Sequence, residues 1–124
     1  MIKQRLMGSG FAPLQTNSVG ETVTTSLTGA GTSSQANALA IVDDINIFTT
    51  VASNSGARLP DATYASLGDK ITVVNYGANA LLVYPPTGGR INNGSVNASV
   101  SIAANKTAVF INLTGIDYAF NISA

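Results

Sequence analysis

The acidic side chains of this chain are few enough to weigh one by one. Asp43 and Asp44 are its only adjacent carboxylates, and with Asn46 they come nearest to an oxygen-rich cation site. On a strand, neighbouring side chains point to opposite faces, so the pair cannot converge on one ion or one substrate. The glycine and distal glutamate of a calcium loop are missing as well. The pair therefore reads as a solvated turn. Glu21 is the single glutamate, which removes a Glu–Glu glycosidase centre. Asp61, Asp69 and Asp117 stand in or beside turns, where aspartate commonly holds backbone amides. Gly8-Ser9-Gly10 and Thr87-Gly88-Gly89-Arg90 lack the Gly-Lys-Ser/Thr ending of a phosphate-binding loop. With no histidine in the chain, a serine nucleophile would need Lys70 or Lys106 as its base, and neither sits in a motif. With no cysteine, disulfides and thiolate metal sites are excluded. The residues predict no enzyme, no cofactor and no metal.

What the chain lacks in chemistry it spends on a neutral polar surface. Only 10% of its 124 residues are charged, against about 25% in ordinary globular domains. In their place stand 12 Ser, 13 Thr, 12 Asn and 17 Ala. Mixed surface charge normally keeps soluble proteins apart, so a surface of hydroxyls, amides and methyls suits a subunit covered by others. Six basic and six acidic side chains give no net charge, which argues against nucleic acid as a partner. No apolar run approaches the ~20 residues of a membrane span, and none near the start reaches the ~7–15-residue core of a signal peptide. Arg58 in "GARLP" and Arg90 in "GGRIN" sit in loops among apolar neighbours. Both are candidates for ion pairs between subunits. Tyr76, at the tip of an expected turn, is a third interface candidate.

Periodicity places these residues on strands and the loops between them. Residues 1–20 are broken by Gly8, Gly10, Pro13 and Gly20, and read as an extended N-terminal arm. Ile2, Leu6, Met7, Phe11 and Leu14 make that arm apolar, and Lys3 and Arg5 make it basic. Such an arm is expected to lie against a partner. From Glu21 onward the chain alternates. In "ETVTTSLT", Val23, Thr25 and Leu27 share one side. "ANALAIVDDINIFTTVA" joins two alternations and reads as strands, with a helix as the alternative for its Ala-rich first half. "SNSGARLPDATYASLGD" reads as a long connection. "KITVVN" and "ALLVY" read as a hairpin, with Gly77 and Asn79 supplying positive φ in the turn. "SVSIAA" and "KTAVFIN" read as a second hairpin, and "IDYAFNI" as a closing strand. About eight short strands predict one all-β domain over residues 21–124, a sandwich, jelly-roll-like fold or barrel.

Three segments also resemble a module of virion structural proteins in tailed bacteriophages. They are "GARLP" (56–60), "GDKITVVNYGANALLVYPPTGGRIN" (68–92) and "VSIAANKTAVF" (100–110). The resemblance is carried by Leu59, Pro60, Gly68, Asp69, Asn75, Gly77, Asn79, Val83, Tyr84, Pro85, Gly88, Ile91 and Asn92. It implies a small β-rich protein of the head surface, made in the host cytoplasm, commonly a homotrimer, that cements the shell by binding major capsid protein subunits. It further implies that the arm, through Ile2, Lys3, Arg5, Leu6, Met7, Phe11 and Leu14, contacts the capsid. A module of the tail or fibre, binding tail proteins or host glycans, is the alternative.

Overall fold

The computed structural model describes residues 21–123, so the expected arm over residues 1–20 lies outside them. Nine strands and no helix occur among the described residues: β1 (Val23–Thr28), β2 (Leu39–Ala40), β3 (Ile45–Thr50), β4 (Gly56–Arg58), β5 (Lys70–Asn75), β6 (Leu81–Tyr84), β7 (Val100–Ile102), β8 (Lys106–Asn112) and β9 (Tyr118–Ile122). They form two mixed sheets, one ordered β1-β3-β5-β8-β9 and the other β2-β4-β6-β7. Neither closes into a barrel. Phe48, Val73 and Phe110 from the first sheet and Ala57, Leu81, Val83 and Ile102 from the second meet in one core.

The chain changes sheet at almost every connection, so its first six strands wind as a coil. β1, β3 and β5 stack in parallel in one sheet, while β2, β4 and β6 stack in parallel in the other. After β6 the direction reverses: β7 returns antiparallel to β6, β8 to β5, and β9 to β8. This corrects both expected hairpins. Strands 70–75 and 81–84 belong to different sheets, as do 100–102 and 106–112. Their connections are arches that cross the core rather than turns that pair neighbours. Alternation marks which residues face inward, and it is the same whether a strand pairs with its sequence neighbour or with one further along the chain.

The first arch shows how the crossing is held. Asn75 is fully buried. Its Nδ2 donates to the carbonyls of Asn79 and Ile102, each at 2.9 Å, and its Oδ1 accepts the Gly77 amide at 2.9 Å. Its own carbonyl accepts the Asn105 amide at 2.6 Å, tying the second arch to the first. Asn79 donates from Nδ2 to the Val51 carbonyl at 2.9 Å. Neither Gly77 nor Asn79 has positive φ, contrary to expectation. Gly77 is needed for closeness instead: a Cβ there would stand 2.6 Å from Cβ of Val51.

Three further expectations are corrected. β4 lies inside the stretch read as a long connection. Three residues are too few to show a period, and Gly56 is there because a Cβ would meet the Leu82 carbonyl at 2.5 Å. The alternation of Val23, Thr25 and Leu27 breaks at Ser26, whose φ of 59° accompanies a register shift, so that Thr24 and Leu27 are the half-buried pair. The Ala-rich segment before Ile41, read as strand with a helix as the alternative, is a turn and bend over residues 35–38 and a strand only in β2.

Tyr118 is the largest wholly buried side chain, and its hydroxyl donates to the Pro60 carbonyl at 2.6 Å. Burial pushes the phenol up to about 12 from its ordinary 10.0. The fold therefore holds the neutral form, and this contribution is complete below pH 10 and is lost as the pH rises through 12. Tyr118→Phe strands the Pro60 carbonyl and should cost about 1–3 kcal/mol. It should also flatten the alkaline fall in stability followed by urea unfolding. An unchanged alkaline slope would assign that fall to other groups.

Candidate interaction surface

Strand direction gathers four loops at one end of the two sheets. β2, β4 and β6 all finish there, since Ala40 pairs with Arg58 and Arg58 with Tyr84. β3 and β5 begin there, in register at Ile45 and Thr72, and β8 ends opposite Lys70. The loops are residues 41–44, 59–69, 85–99 and 113–117. β1 also starts at this end, with Val23 beside Ile45. Tyr76, in contrast, lies at the far end, on the arch between β5 and β6.

Six of the nine exposed large hydrophobic residues lie in these four loops: Val42, Tyr64, Leu67, Val96, Leu113 and Ile116. Tyr64 and Leu67 are each 68% exposed. Single exposed apolar residues are ordinary, but a concentration of them marks an interaction surface. A cleft of about 310 Å³ opens among them, between Val42, Arg58, Asp61, Tyr64, Pro86 and Ile116. A smaller one of about 100 Å³ lies between Arg90, Asp117 and Leu113.

All five aspartates of the chain fall in the same loops. Asp61 and Asp69 hold their own loop in shape, and the other three tie theirs to a neighbouring segment. Asp43 accepts the Thr24 hydroxyl, and Asp44 the Thr22 amide at 3.0 Å. Asp61 accepts the Thr63 amide at 2.9 Å, and Asp69 the Ser66 amide at 2.8 Å. Asp117 accepts the Arg90 amide at 2.9 Å. The amide and hydroxyl of Thr63, with a smaller contribution from Arg58, hold the Asp61 carboxyl below its ordinary value. Asp43 and Asp44 occupy the turn expected of them. Among the described residues, no group of three carboxylates is placed to hold a metal ion.

The two arginines meet different surroundings. Arg58 is half-buried, and its Nη1 donates to the Gln35 and Ala36 carbonyls at 3.2 and 3.4 Å, bracing its own chain. Arg90 is exposed, with its backbone clamped by Asp117 and Tyr118. The end surface thus contains Arg58 and Arg90 but not Tyr76. Sequence reasoning passed over most of its apolar members because loops carry no period, and it placed Ile116 in the closing strand, which begins only at Tyr118. Their common location depends on strand direction alone.

The quoted segments build the framework under this surface at one end, while their Asn75, Gly77 and Asn79 hold the arch at the far end. Leu59 is in the core, and the carbonyl of Pro60 receives Tyr118. A Cβ on Gly89 would collide with the Ile116 carbonyl. Ile91 bridges to Tyr118, and Asn92 Oδ1 accepts the Phe120 amide at 2.9 Å. No protein-family model, curated protein or solved structure matches this chain.

Proposed function

We propose that this chain is a structural protein of a tailed-bacteriophage particle, a decoration or cement protein that binds outside the head shell between major capsid protein subunits and stabilises it. The reading includes a homotrimer, a sandwich-like β-domain and an N-terminal arm that grips the shell. The observation that carries it is the end surface: exposed apolar residues concentrated at one end, on a chain with little charge elsewhere and scant material for catalysis. The quoted phage-like segments support it, since their residues build the arches and the loop end together. A surface of this kind is suited to broad contact rather than to holding a small substrate.

A tail or fibre module would use the same surface on a different partner. Copy number separates the two. Quantitative mass spectrometry of purified particles should find this chain in hundreds of copies, as a head lattice requires. A few to a few dozen copies would place it in the tail, and its absence from particles would end both readings.

A further inference from the structure

We propose that the cleft beside Tyr64 anchors one arginine side chain of a protein partner, its guanidinium set against the Tyr64 ring and hydrogen-bonded to the Asp61 carboxylate. The placement rests on reading the loop end as a protein-binding surface, and it adds the chemistry that the partner must bring. Charge selects the kind of partner. Among the described residues, the loop end and its margin hold six carboxylates, Glu21 and the five aspartates, against three cations, Arg58, Lys70 and Arg90. Six against three leaves three negative charges in excess. Lys106, the remaining described cation, opens β8 at the far end. Such an end draws a basic surface, and it repels both an acidic partner and the same end of a second copy.

The cleft offers that surface a specific hold. Its volume of about 310 Å³ is lined by buried Leu59, Pro60 and Pro86 and by exposed Tyr64 and Ile116, with Asp61 among them. The aliphatic stem of a long cationic side chain packs well on such walls while its head reaches a polar group. Asp61 is that group. Its carboxylate is bonded by Thr63 of its own loop, and of the influences that keep it ionised the charge of Arg58 is the smallest. Arg58 instead turns Nη1 to the Gln35 and Ala36 carbonyls. The aspartate is thus an exposed anion that no described cation neutralises by direct contact. Arginine suits the place better than lysine, because its planar guanidinium stacks on an aromatic face and donates to a carboxylate at the same time. Lysine brings a strongly hydrated point charge that would have to shed water to enter.

Nuclear magnetic resonance of the ¹⁵N-labelled full chain tests this with two peptides. One is acetyl-Gly-Arg-Gly-amide, and the other carries citrulline in place of arginine, which keeps the shape and loses the charge. The Thr63, Tyr64, Thr87 and Ile116 amides should shift saturably with the arginine peptide, and the citrulline peptide should bind at least about fivefold more weakly. Asp61→Asn keeps an acceptor for the Thr63 amide but removes the charge. It should weaken the arginine peptide by a similar factor and leave the rest of the spectrum in place. Equal affinity for the two peptides, shifts centred on Asp43 and Asp44, or no saturable shift at any soluble concentration would each overturn the proposal. Stronger shifts at the same amides from methyl α-glucoside would make the cleft a sugar site and overturn it too. Copy number in particles is independent of these results. Hundreds of copies without arginine binding would retire the cleft and keep the head reading, while arginine binding by a chain absent from particles would do the reverse.

Discussion

Asn75→Leu should destabilise the domain by about 3–5 kcal/mol, a large part of the roughly 5–15 kcal/mol that holds a domain of this size together. Leucine has nearly the shape of asparagine and would fill the same space, so packing is not what is lost. The loss is of partners. The Asn79 and Ile102 carbonyls each lose a buried donor, and the Gly77 amide loses its acceptor. Each orphaned group costs about 1–3 kcal/mol, and no water is expected to replace a side chain this deeply buried. The effect should reach both arches, because the Asn75 carbonyl also holds Asn105. Urea unfolding of the variant beside Asn121→Leu, an exposed change on β9 without positive φ and expected within about 0.5 kcal/mol of the parent, measures it. A loss under about 1 kcal/mol would mean that the arches are held by packing alone.

Deleting the first 14 residues should leave the β-domain folded while abolishing its binding to undecorated heads. The described strands, core and arches all lie at or after Val23, so the unfolding midpoint and the circular dichroism should change little. The deletion removes Ile2, Leu6, Met7, Phe11 and Leu14, each worth roughly 1.5–3 kcal/mol when fully buried. Ordering the segment costs about 1–2 kcal/mol per residue in backbone entropy, so a weak set of contacts would not hold it. Loss of Lys3 and Arg5 should also remove part of the salt sensitivity of attachment. Co-sedimentation with heads measures the outcome. Unchanged affinity after deletion would shift the shell contact to the β-domain and end the role proposed for the arm.

Fold class was legible in the sequence because inward and outward positions alternate along longer strands such as β3 and β8, and a period of two survives whatever the partner. Lys70–Asn75 and Lys106–Asn112 were read at their observed bounds for this reason. Composition excluded thiol and imidazole chemistry by the absence of the residues themselves. Partnership was not legible. A run such as "KITVVNYGANALLVY" suits a hairpin and an arch equally well until Asn75 is seen turned inward, with its amide spent on the carbonyls of Asn79 and Ile102. Glycine roles divided the same way. The sequence called for Gly77 as a turn former, while the structure uses it for its missing Cβ against Val51.

The sequence by itself determined the all-β character, the scarcity of charge and the absence of histidine and cysteine, since these follow from residue type and local period. The tertiary structure alone decided that five aspartates and six exposed apolar residues share one end with the start of β1. They come from four loops far apart along the chain, and the parallel winding of the first six strands with the antiparallel return of the last three brings those loops to the same side.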